Sequence, residues 1–200
     1  MVIPSPMPLG QQPQPFDDSD WLYEIKHDGF RALAVIEEGR CRFFSKNKHR
    51  LTGFRDVAEA IVKELNVDNA ILDGELVATD ALGRTVFTAL MHRSETARYF
   101  AFDLLWLNGR DLRRLPLLSR KDQLKRIVPA RSPHMLYVDH TRGAGTELYQ
   151  LACQLDLEGI VAKRANSPYE DNERTPYWIK VKNRAYSQKE GRGELFKKTN

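Results

Sequence analysis

The sequence predicts an α+β fold with antiparallel sheets flanked by helices. The chain has 200 residues, of which 42% are hydrophobic and 29% are charged, a balance typical of about one globular domain. Its apolar runs are short and separated by tight turns such as Asp28-Gly29, Glu38-Gly39 and Asn108-Gly109, which indicates strands joined by hairpins. Helical spacings interleave with these strands, and the combination favours an α+β fold over a doubly wound parallel sheet.

The first half of the chain begins with a proline-rich segment. Residues 1–15 contain five of the ten prolines and no charged residue, which predicts an extended, loosely held arm. The folded body begins near Phe16, and residues 21–45 predict consecutive short antiparallel strands. The next predicted elements are a helix from about Phe54 to Leu65, a strand over 69–79, a short helix near Phe87 to Arg93 and a buried strand over 99–109.

The second half continues the same mixture of helices and strands. Ser119 with Gln123 nearby predicts a helix start, and apolar residues at helical spacing predict another helix within 143–155. The segments EGIVAKR and YWIKVKN predict two further strands. We therefore expect a proline-rich arm over 1–15, one folded domain over 16–183 and a basic tail or linker remnant over 184–200.

Several classes of protein are disfavoured by composition. Cys41 and Cys153 lie far apart, with no partner at metal-ligand spacing, so neither a disulfide framework nor a zinc site is predicted. No run approaches the roughly 18 apolar residues of a membrane span, and the N-terminus lacks the pattern of a signal peptide. We expect a cytoplasmic protein with no membrane partner.

Basic residues form two local clusters in a body that is otherwise nearly neutral. The net charge is +4, from 31 Lys and Arg against 27 Asp and Glu. The first cluster contains no acid, and the second surrounds a single Asp111. Clusters of this kind suit a polyanion such as nucleic acid, and a solvated charged face is the alternative. Their members are Arg40, Arg42, Lys46, Lys48 and Arg50 in the first, and Arg110, Arg113, Arg114, Arg120 and Lys121 in the second.

Ionisable residues also stand on or beside apolar strands, where a charge is costly unless it is used or paired. Lys26 ends the strand WLYEIK and precedes a tight turn. Glu75 and Glu158 each adjoin a glycine, and two such acids suit a hard divalent cation or a ribose hydroxyl, with ordinary turn acids as the alternative. Period-2 alternation puts Lys180 and Lys182 on one face, where an anion such as a polyphosphate would relieve their repulsion.

These segments stand in the order of a known motif set. Lys26-His27-Asp28-Gly29 with Arg31 resembles a KxDGxR motif, Asp73-Gly74-Glu75 a DGE motif, and Phe102-Asp103 an adenine-stacking segment. Glu158-Gly159, and then Lys180 with Lys182, resemble two last core motifs. The set resembles that of the covalent nucleotidyltransferases, specifically the ATP-dependent DNA ligases. The stretch FDDSDWLYEIKHDGFRA most resembles the ligase modules of bacterial end-joining enzymes.

This resemblance implies a nucleotidyltransferase (ATP-grasp-like) fold and a covalent lysine–AMP intermediate. Lys26 would attack the α-phosphorus of ATP, and Mg²⁺, with Mn²⁺ as the alternative, would stabilise the leaving pyrophosphate. Phe102 would stack on the base, Glu24 would take the adenine amino group, and Glu75 would accept from the ribose. The implied nucleotide-binding residues are Glu24, Ile25, Arg31, Glu75, Phe102, Lys180 and Lys182, and the implied metal ligands are Glu158 and Glu75.

The resemblance also implies a DNA substrate. AMP would pass to a 5′-phosphate at a nick and be displaced by the 3′-hydroxyl, sealing nicked or broken double-stranded DNA in repair beside a bacterial nucleoid. The cluster Arg40, Arg42, Lys46, Lys48 and Arg50 would hold DNA phosphates. Lys46-Asn47 stands where the family more often has Arg-Asn, and lysine lacks the bidentate geometry of arginine.

Family ligases continue beyond the last lysine motif into an OB-fold domain, which this sequence is expected to lack. The resemblance therefore allows a separate OB-fold domain or an end-binding protein as a partner. Three other functions stay open on the sequence: a catalytically weak nucleic-acid-binding or split-ligase module, an RNA ligase, and guanylyl transfer in capping.

Overall fold

A computed structural model describes residues 2–81, 83–92, 96–171 and 173–189. Among them are eleven strands and four α-helices. The strands are β1 (Gly10–Gln12), β2 (Trp21–Ile25), β3 (Phe30–Glu37), β4 (Arg40–Ser45), β5 (Ala70–Ala78), β6 (Ala97–Leu107), β7 (Arg110–Asp111), β8 (Met135–Tyr137), β9 (Thr141–Arg142), β10 (Gly159–Arg164) and β11 (Trp178–Lys182). The helices are α1 (Arg55–Glu64), α2 (Phe87–His92), α3 (Leu117–Ile127) and α4 (Gly145–Gln154).

The strands form two sheets. The smaller sheet has the order β1-β11-β10-β2-β9, and the larger has β4-β3-β5-β6-β7 with β8 paired to β6. All pairs are antiparallel except β1 with β11 and β6 with β8. The predicted α+β class with antiparallel sheets is therefore confirmed.

The two sheets pack face to face with helices on the outside. Leu22 and Trp178 of the smaller sheet meet Leu33 and Ile71 of the larger one in a shared apolar cluster. On the outer side of the smaller sheet, strand residues pack on Ala152 of α4. On the outer side of the larger sheet, residues of α1 and α3 complete the main core. Because side chains alternate along each strand, every second residue points into the space between the sheets.

The prediction of consecutive antiparallel strands over 21–45 is only partly right. β3 and β4 form the expected hairpin, with Glu37 paired to Arg40 across the turn. β2 instead pairs with β10 and β9 in the other sheet. The chain therefore crosses from one sheet to the other at residues 26–29, and alternation alone cannot distinguish such a crossing from a hairpin turn.

The prediction of a loosely held N-terminal arm is wrong. Met7 is fully buried between the sheets, and β1 pairs in parallel with β11 through Gln11 and Lys180. The Met7 amide donates a hydrogen bond to the Tyr169 hydroxyl at 3.0 Å. The uncharged arm therefore supplies a strand, Gly10–Gln12, and a core residue, Met7, to the fold.

The other predicted elements are present with small shifts of their ends. The helix expected to start at Ser119 begins two residues earlier, at Leu117, with Pro116 as the preceding residue. Asn108 and Gly109 both have positive φ, as a tight hairpin turn requires. Residues 190–200, most of the expected basic tail, lie outside the described residues. In the part of the chain that is described, no helix is long and apolar enough to cross a membrane.

Candidate active site

The candidate site lies in the cleft between the two sheets. Six strands point ionisable or aromatic side chains into it. On five of them the residue is in phase with the apolar residues that join the sheets, and on β6 Phe102 is the extra residue at a shift in the pairing with β5. A cavity of about 50 Å³ opens there. Its lining comprises Leu9, Glu24, Ile25, Lys26, His27, Arg31, Glu75, Phe102, Val161, Lys163 and Trp178. Six of the predicted nucleotide-site residues are therefore brought together around one cavity.

Lys26 follows the last residue of β2, and its ammonium group is held by the carboxylate of Glu158, the residue just before the neighbouring strand β10. Lys26 Nζ lies 2.6 Å from Glu158 Oε2, and the two side chains are 19% and 8% exposed. The Lys26 amide also donates to the carbonyl of Gly159 at 2.9 Å. Gly159 has φ +132°, and a Cβ there would lie 2.1 Å from the carbonyl oxygen of Val181. Only glycine fits this position, which brings Glu158 to the lysine.

The loop that carries Lys26 is fixed by buried contacts. Asp28 is almost fully buried and accepts a hydrogen bond from the Tyr186 hydroxyl at 2.9 Å, while its amide donates to Thr85 Oγ1 at 3.3 Å. A Cβ on Gly29 would lie 2.1 Å from the carbonyl oxygen of Leu76. The loop therefore approaches β5 more closely than any residue with a side chain allows, and this restricts where Lys26 can point.

Lys180 and Lys182 lie on the cleft face of β11, as the sequence predicts, while Ile179 and Val181 pack toward α4. Lys182 Nζ is 3.9 Å from Glu158 Oε1. Partial burial, followed by the charges of Lys182 and Lys26, lowers the pKa of Lys180. Lys26 and Lys182 thus share one carboxylate, Lys180 is close enough to be influenced by all three, and the excess positive charge suits a polyanionic ligand.

Arg31 is held by a buried carboxylate on β5. Its Nε and Nη2 donate to Asp73 at 3.1 and 2.7 Å, and its Nη1 donates to the Met7 carbonyl at 2.7 Å. Tyr169 donates its hydroxyl to the same carboxylate at 2.7 Å. Burial opposes the charge, but Asp73 outweighs it and holds the pKa of Arg31 above its ordinary value. The guanidinium is therefore positioned before any ligand arrives.

Glu75 lies two residues after Asp73 on β5 and lines the same cavity. Burial raises its pKa to about 8, partly opposed by the charges of Lys26 and Arg31. Its environment therefore favours the protonated carboxyl at neutral pH, while the nearby charges of Lys26 and Arg31 favour the ionised form.

A buried ion network lies at the base of the cavity, and the sequence pattern did not predict it. Glu24 forms ion pairs with Lys121 of α3 and, at 2.6 Å, with Lys163 of β10. Burial opposes the ionised form, but the two lysines outweigh it and lower the pKa of Glu24. Lys163 Nζ lies 4.2 Å from the Phe102 ring centroid and 4.1 Å from that of Trp178, and burial lowers its pKa to about 8.

The criterion that singled out Lys180 would also have found Lys163, since both are lysines within apolar strands. Lys121 was instead assigned to a surface cluster for polyanions. That assignment is wrong for Lys121 and Arg120, which are both fully buried. Arg120 donates to both oxygens of buried Asp103 at 2.8 and 2.9 Å. A run of basic residues at a helix start does not show which of them turn inward.

The architecture and this site can be compared with known proteins. Residues 11–182 match the family model described as the ATP dependent DNA ligase domain. The chain belongs to this family. The predicted nucleotidyltransferase-type ligase fold is thereby confirmed, and ATP is the nucleotide of the family. RNA ligation and capping are not favoured.

Individual ligases support the same assignment. The SPbeta prophage-derived DNA ligase-like protein LigB of Bacillus subtilis is 30% identical over 191 residues, which are 92% of this chain and 69% of LigB. The multifunctional non-homologous end joining protein LigD of Pseudomonas aeruginosa is 34% identical over 187 residues, which are 90% of this chain but 22% of LigD. A solved structure of mycobacterial DNA ligase D with ATP and MES superimposes with a TM-score of 0.78 at 27% identity, covering 90% of this chain and 60% of that one.

The basic cluster of this ligase domain is spread along β4 rather than gathered at the cleft. Ser45 pairs with Ala32, next to Arg31, so Lys46 and Lys48 lie at the cleft end of the strand. Arg40 and Arg42 lie toward the other end, and five residues of strand separate Arg40 from Ser45 by about 17 Å. Lys48 Nζ donates to the Ile3 carbonyl at 3.3 Å, and Arg42 pairs with Glu37. The backbone of Arg50 pairs with that of Phe44 in an isolated antiparallel β-bridge.

The predicted metal ligands of the ligase domain are two carboxylates on opposite sheets. Within the described residues no group of three or more His, Cys, Asp or Glu side chains is placed to hold a metal ion. Glu75 and Glu158 are close enough to influence each other's charge. Two carboxylates at one cleft fit Mg²⁺, which usually takes one or two protein carboxylates together with phosphate oxygens and waters.

Proposed function

We propose that this domain reacts with ATP at Lys26 to form a covalent lysine–AMP adduct and transfers the AMP to the 5′-phosphate of nicked DNA, for strand sealing in repair. The observation that supports the proposal most directly is the position of Lys26 Nζ. It lies at the cavity between the sheets, 2.6 Å from Glu158, with Lys182 beside the same carboxylate. A nucleophile, a hydrogen-bond acceptor for its proton and a cationic surface for phosphates are therefore adjacent.

The first step forms one bond and breaks one. The Lys26 ammonium first passes a proton to Glu158 Oε2, its present hydrogen-bond partner. The lone pair of the neutral Nζ then attacks the α-phosphorus, a P–N bond forms, and the bond from that phosphorus to the oxygen bridging the β-phosphate breaks. The electron pair leaves with pyrophosphate, and the second proton leaves Nζ to solvent. In the second step a 5′-phosphate oxygen of DNA attacks the same phosphorus and releases Lys26. The 3′-hydroxyl then displaces AMP and seals the strand.

The other cleft residues bind and orient the nucleotide. Phe102 offers a ring face backed by the Lys163 ammonium, and Glu24 stays ionised at the base of the cavity as an acceptor for the adenine amino group. Ile25 contributes apolar lining, and Arg31 and Glu75 face the ribose and α-phosphate from the larger sheet. Lys180 and Lys182 would bind the leaving pyrophosphate. This division of roles is the one that the resemblance to the ligase family implies, and the position of these side chains around the cleft supports it.

Mg²⁺, or Mn²⁺ with the same oxygen ligands, would neutralise charge on the leaving pyrophosphate. Glu158 and Glu75 are the residues proposed to hold it. Both carboxyl groups lie at the cleft. Burial favours the protonated form of Glu75, and a bound cation would favour the ionised form.

The proposed nucleic-acid substrate is nicked or broken double-stranded DNA. Lys46 and Lys48 follow the cleft end of β4 and are proposed to contact phosphates near the nick, together with Arg50, which pairs with Phe44 at the same end. Arg40 and Arg42 would lie farther along the duplex. LigD is named for non-homologous end joining, which motivates an end-binding protein or a separate OB-fold domain as a partner. A cytoplasmic, nucleoid-associated location is part of the same proposal.

Covalent labelling tests the proposal. The protein is incubated with ATP labelled at the α-phosphate and Mg²⁺, and denaturing electrophoresis then measures label that stays with the chain. We expect labelling of the wild type and of Lys125→Ala, in which an exposed lysine is removed, but none of Lys26→Ala. Intact mass beforehand identifies any AMP already bound. Labelling that persists in Lys26→Ala would remove this residue as the nucleophile.

Labelled GTP and nicked DNA extend the same test. Adenine selection predicts much weaker labelling by GTP, and transfer predicts that nicked DNA discharges the label from the protein. DNA binding without any covalent nucleotide would instead favour a binding module that requires a second domain for chemistry.

A further inference from the structure

A ring of hydrogen bonds closes through the N-terminal arm at one wall of the cleft. The Met7 amide donates to the Tyr169 hydroxyl at 3.0 Å, and that hydroxyl donates to Asp73 Oδ2 at 2.7 Å. Asp73 also accepts from Nε and Nη2 of Arg31, and Arg31 Nη1 donates to the Met7 carbonyl at 2.7 Å. The ring therefore joins two strands of the larger sheet to two segments that lie outside both sheets.

The sequence of the arm suits Met7 to this place. Pro6 and Pro8 have no backbone N–H, so Met7 holds the one backbone donor of residues 6–8. A following proline favours an extended backbone at Met7, in which the N–H and the C=O point to the same side. Both groups can therefore join the ring while the Met7 side chain is fully buried.

The ring leaves part of the Arg31 guanidinium available to a ligand. A guanidinium has five N–H groups, of which Asp73 and the Met7 carbonyl bind three. The other two have no hydrogen-bond partner in the part of the chain that the structure describes. Arg31 lines the cavity, its side chain is 18% exposed, and its Cζ lies 5.6 Å from the centroid of the Phe102 ring. The two remaining N–H groups are the ones that a nucleotide can meet.

Tyr169 supplies the hydroxyl that joins the arm to Asp73. Burial, followed by the charge of Asp73, raises the pKa of Tyr169 well above its ordinary value, so the hydroxyl keeps its proton. It can then donate to Asp73 and accept from the Met7 amide at the same time. Without this oxygen a buried amide has no partner, and the arm has one contact fewer to hold it against Arg31.

The arm continues from the ring along the cleft. Leu9 lines the same cavity, and Gln11 of β1 pairs with Lys180 of β11. The arm is therefore bound to Arg31 of the larger sheet and to a lysine strand of the smaller one.

We propose that Tyr169 is a positioning residue for the nucleotide. By closing the ring through Met7 it holds the Arg31 guanidinium toward the ribose and α-phosphate, and the N-terminal arm is thereby part of the nucleotide site. The inference rests on the proposed reaction of Lys26 with ATP. A hydroxyl with a structural role alone would contribute to stability but would not act through Arg31.

A double-mutant cycle on the rate of covalent labelling tests this role. At saturating ATP, Tyr169→Phe should lower the rate constant about tenfold. Arg31→Lys keeps the charge but loses the planar fork, and in that background the added Tyr169→Phe should cost less than about twofold. Lys182→Ala is the matched background because Lys182 contacts Glu158 outside the ring, and there Tyr169→Phe should keep its whole effect. Tyr137→Phe, which removes a hydroxyl outside the ring, should leave the rate unchanged.

Hydrogen exchange on the wild type without nucleotide depends on no substitution. We expect Arg31 Nε–H to exchange at least about tenfold more slowly than Arg55 Nε–H. Arg55 is the matched comparison because its Nε also donates to a carboxylate, that of Glu59, but its side chain is 84% exposed. The Met7 amide should be protected as well, and Tyr169→Phe should speed exchange at both groups. Thermal unfolding verifies that each variant is folded.

Two results would overturn the inference. An equal effect of Tyr169→Phe in the wild type and in Arg31→Lys would make the hydroxyl structural. Exchange at Arg31 as fast as at Arg55 would show that the ring does not hold the guanidinium.

Failure of the proposed function is a different result, namely a wild type that takes no label. Affinity for an ATP analogue with carbon in place of the α–β bridging oxygen then replaces the rate in the same cycle, with the same coupling to Arg31 expected. If the wild type binds no analogue either, both proposals fail.

Discussion

Glu75 shows how single residues in the cleft are prepared for charge. Its burial raises its pKa to about 8, while nearby Lys26 and Arg31 act in the opposite direction. Arg31 differs because Asp73 accepts two of its hydrogen bonds and fixes its charge. One carboxyl at the site is thus free to change protonation, and the guanidinium next to it is not.

The raised pKa of Glu75 predicts a pH-dependent stability. As the pH rises from about 4.5 to about 8, the unfolded chain releases the Glu75 proton while the folded chain retains it, so the wild type loses stability across this window. Glu75→Gln removes this loss. We expect the melting temperature of Glu75→Gln to rise relative to wild type between pH 5 and 8, measured in EDTA.

Glu59→Gln is the matched control for this measurement because Glu59 is exposed and its pKa is lowered by Arg55. No comparable rise is expected for it. A constant difference between Glu75→Gln and wild type across the same pH range would contradict the assigned pKa.

Sequence reasoning located the residues of the motifs well but not their supports. The ordered segments around Lys26, Glu75 and Lys180 resemble the motif set of the ligase family, and that family is confirmed, while the roles of the individual residues stay predictions. Lys163 and Lys121 were missed because their function depends on burial against Glu24. Burial of an ion depends on a partner from a distant part of the chain, and local pattern contains no information about that partner.

At the scale of elements, the N-terminal arm is the clearest departure from expectation. Proline content predicted a loose segment, yet Met7 is fully buried, and its carbonyl accepts from Arg31. Strands β2 and β3 depart in the same way, since adjacent strands in sequence lie in different sheets. Strand pattern predicts that a strand exists, but the choice of its neighbour is made by the packing of the whole sheet.

Truncating Met7 should therefore destabilise the domain. Met7→Ala removes a fully buried side chain, and we expect the free energy of unfolding to fall by about 2–4 kcal/mol in urea titrations. Val2→Ala in the same arm is the control because Val2 is 89% exposed, and it should change stability by less than about 0.5 kcal/mol. Equal effects of the two substitutions would mean that the arm is not packed.

The segment after β11 should support the loop that carries Lys26. Tyr186→Phe removes the hydroxyl that donates to buried Asp28, and we expect a loss of about 1–3 kcal/mol in the free energy of unfolding. The rate of covalent labelling at Lys26 should fall as well. Tyr149→Phe removes a hydroxyl that donates to an exposed backbone carbonyl and should cost less. Unchanged stability and labelling in Tyr186→Phe would separate this contact from the loop.

At the scale of the whole molecule, the cleft lies between two sheets that pack together through an apolar cluster, and both sheets contribute residues to it. Lys26 and Lys180 come from the smaller sheet, and Arg31, Glu75 and Phe102 come from the larger one. A nucleotide between them would contact both sheets at once. Binding should therefore stabilise the domain as a unit rather than one part of it.

This arrangement predicts a large thermal shift on nucleotide binding. An ATP analogue with carbon in place of the α–β bridging oxygen, at about one hundred times its Kd with Mg²⁺, should stabilise the fold by about 2.7 kcal/mol and raise the melting temperature by about 5–10 °C. Lys26→Ala should keep most of the shift, whereas Phe102→Ala should lose much of it at the same concentration. A shift given equally by the GTP analogue would argue against adenine selection.

The two sheets also differ in how far apart along the chain their strands lie. Apart from β8, the larger sheet is built from residues 30–111, whereas the smaller sheet joins β1 and β2 to β10 and β11, with Ile25 paired to Ile160. Such distant pairings form late, because the entropy cost of closing a long loop precedes the favourable contacts between the strands. During synthesis on the ribosome, the larger sheet can therefore assemble while β2 still waits for its partners. A nascent chain would therefore keep Lys26 apart from Lys180 and Lys182 until synthesis has passed β11, and the proposed reaction with ATP would require the completed smaller sheet.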